Sequence, residues 1–124
     1  MSLKTKSIGD VRIIQMDGDF TIGRGPMARP LDLQGYRLED LGTYLTDLLD
    51  RGQLKIVLDL SRVSFIDSAG LGELVACKKR TAERGGDIKL LRPVGQVHKL
   101  LVMTLLTRLF EVYQDEEAAV GSFQ

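Results

Sequence analysis

Residues 55–72 read KIVLDLSRVSFIDSAGLG, and the fold follows from this stretch. Ile56, Val57 and Leu58 form an apolar, largely β-branched run. Asp59 and Ser61 interrupt it, then Val63, Phe65 and Ile66 resume. Beyond Asp67-Ser68-Ala69-Gly70 the period changes. Leu71, Leu74 and Val75 recur at steps of three and four, the spacing of one helix face. The stretch is therefore expected to be a buried strand, a tight turn and a helix start. Ser68 falls at that start. There it can cap the first-turn N–H groups, or the same N–H groups and the helix dipole can hold an anion or phosphate. Gly70 and Gly72 carry no side chain, so a partner could approach the turn closely.

Working outward, Leu3 to Ser7 reads as a strand, Ile8-Gly9-Asp10 as a hairpin turn, and Val11, Ile13, Ile14 and Met16 as the returning strand. Asp17-Gly18-Asp19 is expected to interrupt it before Phe20 and Ile22. Thr21 to Gly35 holds Gly23, Gly25, Pro26, Pro30 and Gly35, with Arg24 and Arg29, and reads as a long loop. Residues 24–34 are expected to be its mobile part. Leu38 to Asp50 is an amphipathic helix with Leu38, Leu41, Leu45, Leu48 and Leu49 on one face and Gly52 as its stop. Leu41, Leu45 and Leu48 are expected to pack on Ile56, Leu58 and Phe65.

The helix from Ser68 is expected to run to about Glu83, with Leu71, Leu74, Val75 and Ala82 inward. Cys77 is expected at the edge of that stripe as a half-buried structural thiol. Lys78 would snorkel from within it, and Glu73, Arg80 and Arg84 would face solvent. Gly85-Gly86 ends the helix. Ile88, Leu90 and Leu91 make a short strand stopped by Arg92-Pro93. Val97 to Leu106 reads as a third helix, with Val97, Leu100, Leu101 and Leu105 inward. Leu109, Phe110, Val112 and Tyr113 suggest a last strand, and Asp115 to Val120 a terminal helix. The order β β α β α β α β α predicts an α/β fold with a mixed, mostly parallel sheet and helices packed against it. At 124 residues a single domain over 1–124 is expected.

Composition narrows the function. Lys and Arg number 17 against 17 Asp and Glu, so net charge gives no reason to expect nucleic acid as a partner. No apolar run approaches the roughly 20 residues that span a bilayer, so membrane insertion is not expected. The opening MSLKTKSIGD lacks the apolar core of a signal peptide, and a cytoplasmic location is the expectation. One Cys and one His leave no Cys/His zinc set and no internal disulfide. Asp59 and Asp67 could meet a divalent metal, although carboxylates in turns are ordinarily caps. His98 reads as a helical surface residue, and Gly23-x-Gly25 lacks the third glycine of a dinucleotide loop. No catalytic set, metal or cofactor is expected.

IVLDLSRVSFIDSAGLGELV resembles the signature of STAS domains, the family of bacterial anti-sigma factor antagonists and of the cytoplasmic tails of sulfate transporters. The resemblance extends over nearly the whole chain, through VRIIQMDGDF, LEDLGTYLTDLLDRG, RGGDIKLLRP and VHKLLVMTLLTRLFEVYQDEEAAV. It implies a switch. In such antagonists the Ser after the motif Asp is phosphorylated by a serine kinase that doubles as the anti-sigma factor. The unphosphorylated form binds that kinase, and a phosphatase restores it. By position Asp67 is the motif Asp and Ser68 the phosphoacceptor, with Asp67, Ser68, Ala69, Gly70, Thr21 and Arg24 at the partner surface. Three departures stand out: Ala69 replaces a common second Ser, Thr21 replaces a common Asp, and the loop at 24–34 is longer than usual. The resemblance also admits a regulatory or scaffold subunit of a stress-signalling or lipid-transport complex. From the residues themselves, a sensor holding a small anion remains the competing reading.

Overall fold

The computed structural model describes residues 2–20 and 41–123. Thr21, Arg24, the 24–34 loop and residues 38–40 lie outside them. The chain runs β1 (Ser2–Ile8), β2 (Val11–Phe20), α1 (Leu41–Asp50), β3 (Lys55–Ile66), α2 (Ser68–Glu83), β4 (Asp87–Leu91), α3 (Gly95–Met103), a 3-10 turn (Leu106–Arg108), β5 (Val112–Tyr113) and α4 (Glu116–Gly121). The five strands lie side by side in chain order. β1 and β2 are antiparallel, and every later pair is parallel. The expected mixed, mostly parallel sheet is what forms.

Both faces of this sheet are covered. Ile14, Ile56 and Leu58 pack with Leu41, Leu45 and Leu48 of α1, Leu74 and Cys77 of α2, and Val97 and Leu101 of α3. Val11, Ile13 and Val57 pack on the opposite face with Ala119 and Val120 of α4. Coverage on both sides is why β3 opens with an unbroken apolar run instead of an alternation.

β2 does not stop at Asp17. It continues to Phe20, and the irregularity appears as two shifts in its register with β3. Gln15 pairs with Asp59 and Asp17 with Arg62, so two steps on β2 answer three on β3. The same happens between Gly18–Val63 and Phe20–Ile66. β3 thus carries two β-bulges, each of which turns the following side chains to the other face. Asp59 supports the first by accepting the Ser61 N–H at 3.0 Å. The consequence falls on Phe65. It does not join Ile56 and Leu58 in the core but is 42% exposed, while Ile66 is buried.

The inward stripe of α2 is Gly70, Leu71, Leu74, Cys77 and Thr81, one position off the expected set at its end. Thr81 can be buried because its hydroxyl donates to the Cys77 carbonyl at 2.8 Å. Ala82 is exposed, Val75 is half-buried, and Cys77 is fully buried instead of half-buried. Lys78 reaches out of the stripe as expected. Its ammonium pairs with Asp87 and lies 5.8 Å from the Phe110 ring centroid. Glu73 and Arg80 do not simply face solvent: they are half-buried and bond each other at 3.0 Å.

α3 ends at Met103, short of the expected Leu106. Thr104 is its C-cap, with the backbone N–H donating to the Leu100 carbonyl at 3.0 Å. Leu105 then takes φ +62° and is exposed instead of inward. At the chain's end Asp115 caps α4 by accepting the Ala118 N–H at 3.0 Å. On the α4 face Lys89 is buried between the rings of Tyr113 and Phe123 and bonds Glu111. The Tyr113 hydroxyl and the Lys89 ammonium together hold the Glu111 carboxyl below its ordinary range.

Candidate functional site

β3 delivers the chain to Asp67, which is still extended at φ −100° and ψ 178°. Its carboxylate accepts the Gly70 N–H at 2.7 Å, and its carbonyl accepts the Leu71 N–H at 2.9 Å as the first helical bond. Asp67 is therefore the N-cap of α2, not Ser68. Ser68 is the first helical residue. It and Ala69 are exposed, whereas Asp67 is half-buried.

Gly70 has a different reason for being glycine than the approach of a partner. It is buried, and a Cβ there would overlap the Phe20 carbonyl oxygen and lie 2.9 Å from Ile66 Cγ1. The notch is filled by the end of β2. A Cβ at Gly72, by contrast, would meet nothing within 4 Å, so the open approach is two residues later, within α2. Gly70→Ala is expected to cost about 1–3 kcal/mol, as overpacked sites do. Denaturant unfolding measures it, and a variant as stable as the parent would show that β2 yields without cost.

Around the turn the exposed groups come from β3 and from the loop before α3. Ser64 donates to Asp19 at 3.0 Å, and Arg62 stands 3.9 Å from Asp17. Phe65 and Val94 present exposed apolar surface. Gln96, in the first turn of α3, bonds both backbone groups of Ile66. Sequence reading placed Phe65 in the core and did not single out Gln96. The break of alternation at Phe65-Ile66, two apolar neighbours after Val63, was the available signal for the bulge. Nothing local marks Gln96, whose bonds span 30 residues.

Of the expected site residues, the structure brings together Asp67, Ser68, Ala69 and Gly70. His98 is exposed on α3, and Asp59 serves its bulge. Among the described residues no three His, Cys, Asp or Glu side chains are grouped to hold a metal ion, and no helix is long and apolar enough to cross a membrane. The turn offers an exposed primary hydroxyl at the positive end of a sixteen-residue helix. A phosphate on that hydroxyl would sit where backbone N–H groups favour negative charge.

The family model described as STAS domain matches residues 32–119. A candidate anti-sigma factor antagonist, BtrV of Bordetella bronchiseptica, is 29% identical over 86 residues, 69% of this chain and 74% of its own. The anti-sigma F factor antagonist of Paenibacillus polymyxa is 34% identical over 69 residues, 56% of this chain and 59% of its own. A crystal structure of a candidate anti-sigma factor antagonist from Thermotoga maritima superposes with a TM-score of 0.74 at 26% identity, covering 97% of this chain and 92% of that one. With its sheet order, its Asp67-Ser68 turn and a match over most of its length, the chain belongs to the STAS domain family.

Proposed function

We propose that this chain acts, as one domain, as an anti-sigma factor antagonist: a binding module that sequesters an anti-sigma factor serine kinase while Ser68 is unphosphorylated and releases it once Ser68 is phosphorylated. A phosphatase resets it. The observation that carries this reading is the exposure of Ser68 at the first position of α2, with Asp67 already performing the cap. The hydroxyl is thus not needed to start the helix, and modifying it does not remove the bond that does. Ala69 and Gly72 leave low, exposed surface beside it, and Phe65 adds an apolar contact for a partner. The names of its relatives, anti-sigma factor antagonists at 29% and 34% identity, support the same class.

The test is direct. The immobilised chain should recover a serine kinase of the anti-sigma type from cell extract. With ATP that kinase should place one phosphate on Ser68, located by tandem mass spectrometry. Phosphate found only on Ser61, Ser64 or a threonine would overturn the assignment.

A further inference from the structure

The end of β3 has neighbours of two kinds. On one side β2 accompanies it as far as Phe20, opposite Ile66. On the other side β4 pairs with it only from Lys55 to Asp59. At Ile66 a side chain takes the place of the missing strand. Gln96 Oε1 accepts the Ile66 N–H at 3.0 Å, and Gln96 Nε2 donates to the Ile66 carbonyl at 3.0 Å. A carboxamide presents one acceptor and a donor in the plane, as a peptide unit does. Ile66 is buried, so both backbone groups depend on such a partner.

The loop before α3 is shaped to bring Gln96 there. Arg92 has φ +49° and Gly95 φ +54°, one left-handed residue on each side of Pro93-Val94. For Arg92 that conformation is strained, and it persists only where its surroundings require it. The outcome is a helix that begins beside the last residue of β3. From Ile66 the chain needs only Asp67 to reach Ser68.

We propose that Gln96 is a positioning residue for the Ser68 switch, fixing the end of β3 and through it the direction in which the Ser68 hydroxyl is presented. This rests on the reading of Ser68 as phosphoacceptor. The turn is held by the Asp67 cap, by the Phe20 carbonyl in the Gly70 notch, and by Gln96 from the side where the sheet has ended. Without Gln96, Ile66 loses two bonds and the strand end frays. A phosphoryl acceptor that samples many directions spends less time in line with the nucleotide, and transfer slows.

The test uses the full chain with Gln96→Ala and the isosteric Gln96→Glu, which keeps the acceptor and loses the N–H donor at neutral pH. Amide hydrogen exchange by NMR reads the strand end, and steady-state phosphorylation by the kinase recovered on the wild-type chain reads the hydroxyl. In Gln96→Ala the Ile66 amide should exchange at least tenfold faster, with Leu58 changed less than twofold. The kcat for Ser68 should fall at least fivefold with KM changed less than twofold, and Gln96→Glu should lie between. Unchanged exchange at Ile66, equal acceleration at Ile66 and Leu58, or a wild-type kcat despite a loosened Ile66 would each overturn the proposal. If wild-type Ser68 takes no phosphate, the proposal falls with the Ser68 reading. The exchange data then show separately whether Gln96 holds β3.

Discussion

Ser68→Asp is expected to bind the partner kinase at least tenfold more weakly than the wild type while keeping a near-native circular dichroism spectrum and melting temperature. Phosphate adds about −1.5 to −2 charges at neutral pH, on a chain whose formal net charge is zero. Inside the domain that charge is well placed, one residue after the Asp67 cap at the positive end of α2. At an interface the sign reverses. A partner seated against Ala69 and Gly72 would have to strip water from a dianion that it was not built to receive. Desolvating a charged group without compensation costs several kcal/mol, and about 1.4 kcal/mol is already tenfold in affinity. Ser68→Ala should still bind, because the free form needs a small side chain there. Titration calorimetry on the three proteins decides the matter. Equal affinity for wild type and Ser68→Asp, repeated with the phosphorylated protein, would reject the electrostatic switch. Tighter binding by the phosphorylated protein would point to a scaffold partner that reads the phosphate.

Leu45→Ala should produce the largest loss of stability in α1, about 2–5 kcal/mol. Leu45 is fully buried and joins the cluster that contains Leu41, Leu48, Ile56 and Leu58. Truncation removes three carbons from a site walled by helix and sheet, and a rigid wall closes poorly on the void. Denaturant unfolding with an unchanged slope would report it as a shift in midpoint. A loss well below 1 kcal/mol would mean that the helix collapses onto the sheet without hindrance. The variant's Ser68 turn lies on α2, so its phosphorylation below the unfolding midpoint should match that of the parent.

The elements that could be read from the sequence are those whose signal is local. The 56–58 run, the leucine face of α1 and the change of period after Ser68 each sit within one short continuous segment of chain. The errors arose where the outcome depends on something further away. Asp67 and Ser68 are both good cap residues, and only the backbone angles at Asp67 decide between them. Gly70 reads as an open door until the Phe20 carbonyl, fifty residues earlier in the chain, is seen to occupy the notch. Phe65 obeys simple alternation with Val63; the Phe65-Ile66 pair hints at a break, but the register shift against β2 decides which of the two turns inward. Leu105 continues the three-four spacing of α3 with no Gly or Pro to stop it. The stop is the left-handed Leu105 itself, which follows the Thr104 C-cap. The Gln96 bonds have no signature in sequence, because a glutamine in a helix pattern is ordinarily a surface residue.

The side-by-side strand order has a consequence for how the chain can be assembled. Each strand's upstream neighbour in the sheet is the strand made just before it. On a ribosome, which releases the N-terminal end first, β2 can pair with β1 at once, and each later strand meets an edge that is already present. Loop closure grows dearer only slowly with length, and the widest gap is from Phe20 to Lys55, between β2 and β3. Once that gap is bridged, each further pairing spans a single helical connection. The Asp67-Ser68 turn emerges directly after the strand that bridges it, but Gln96 follows a helix and a strand later. The Gln96 bonds to Ile66, just before that turn, can therefore form only when α3 has been made.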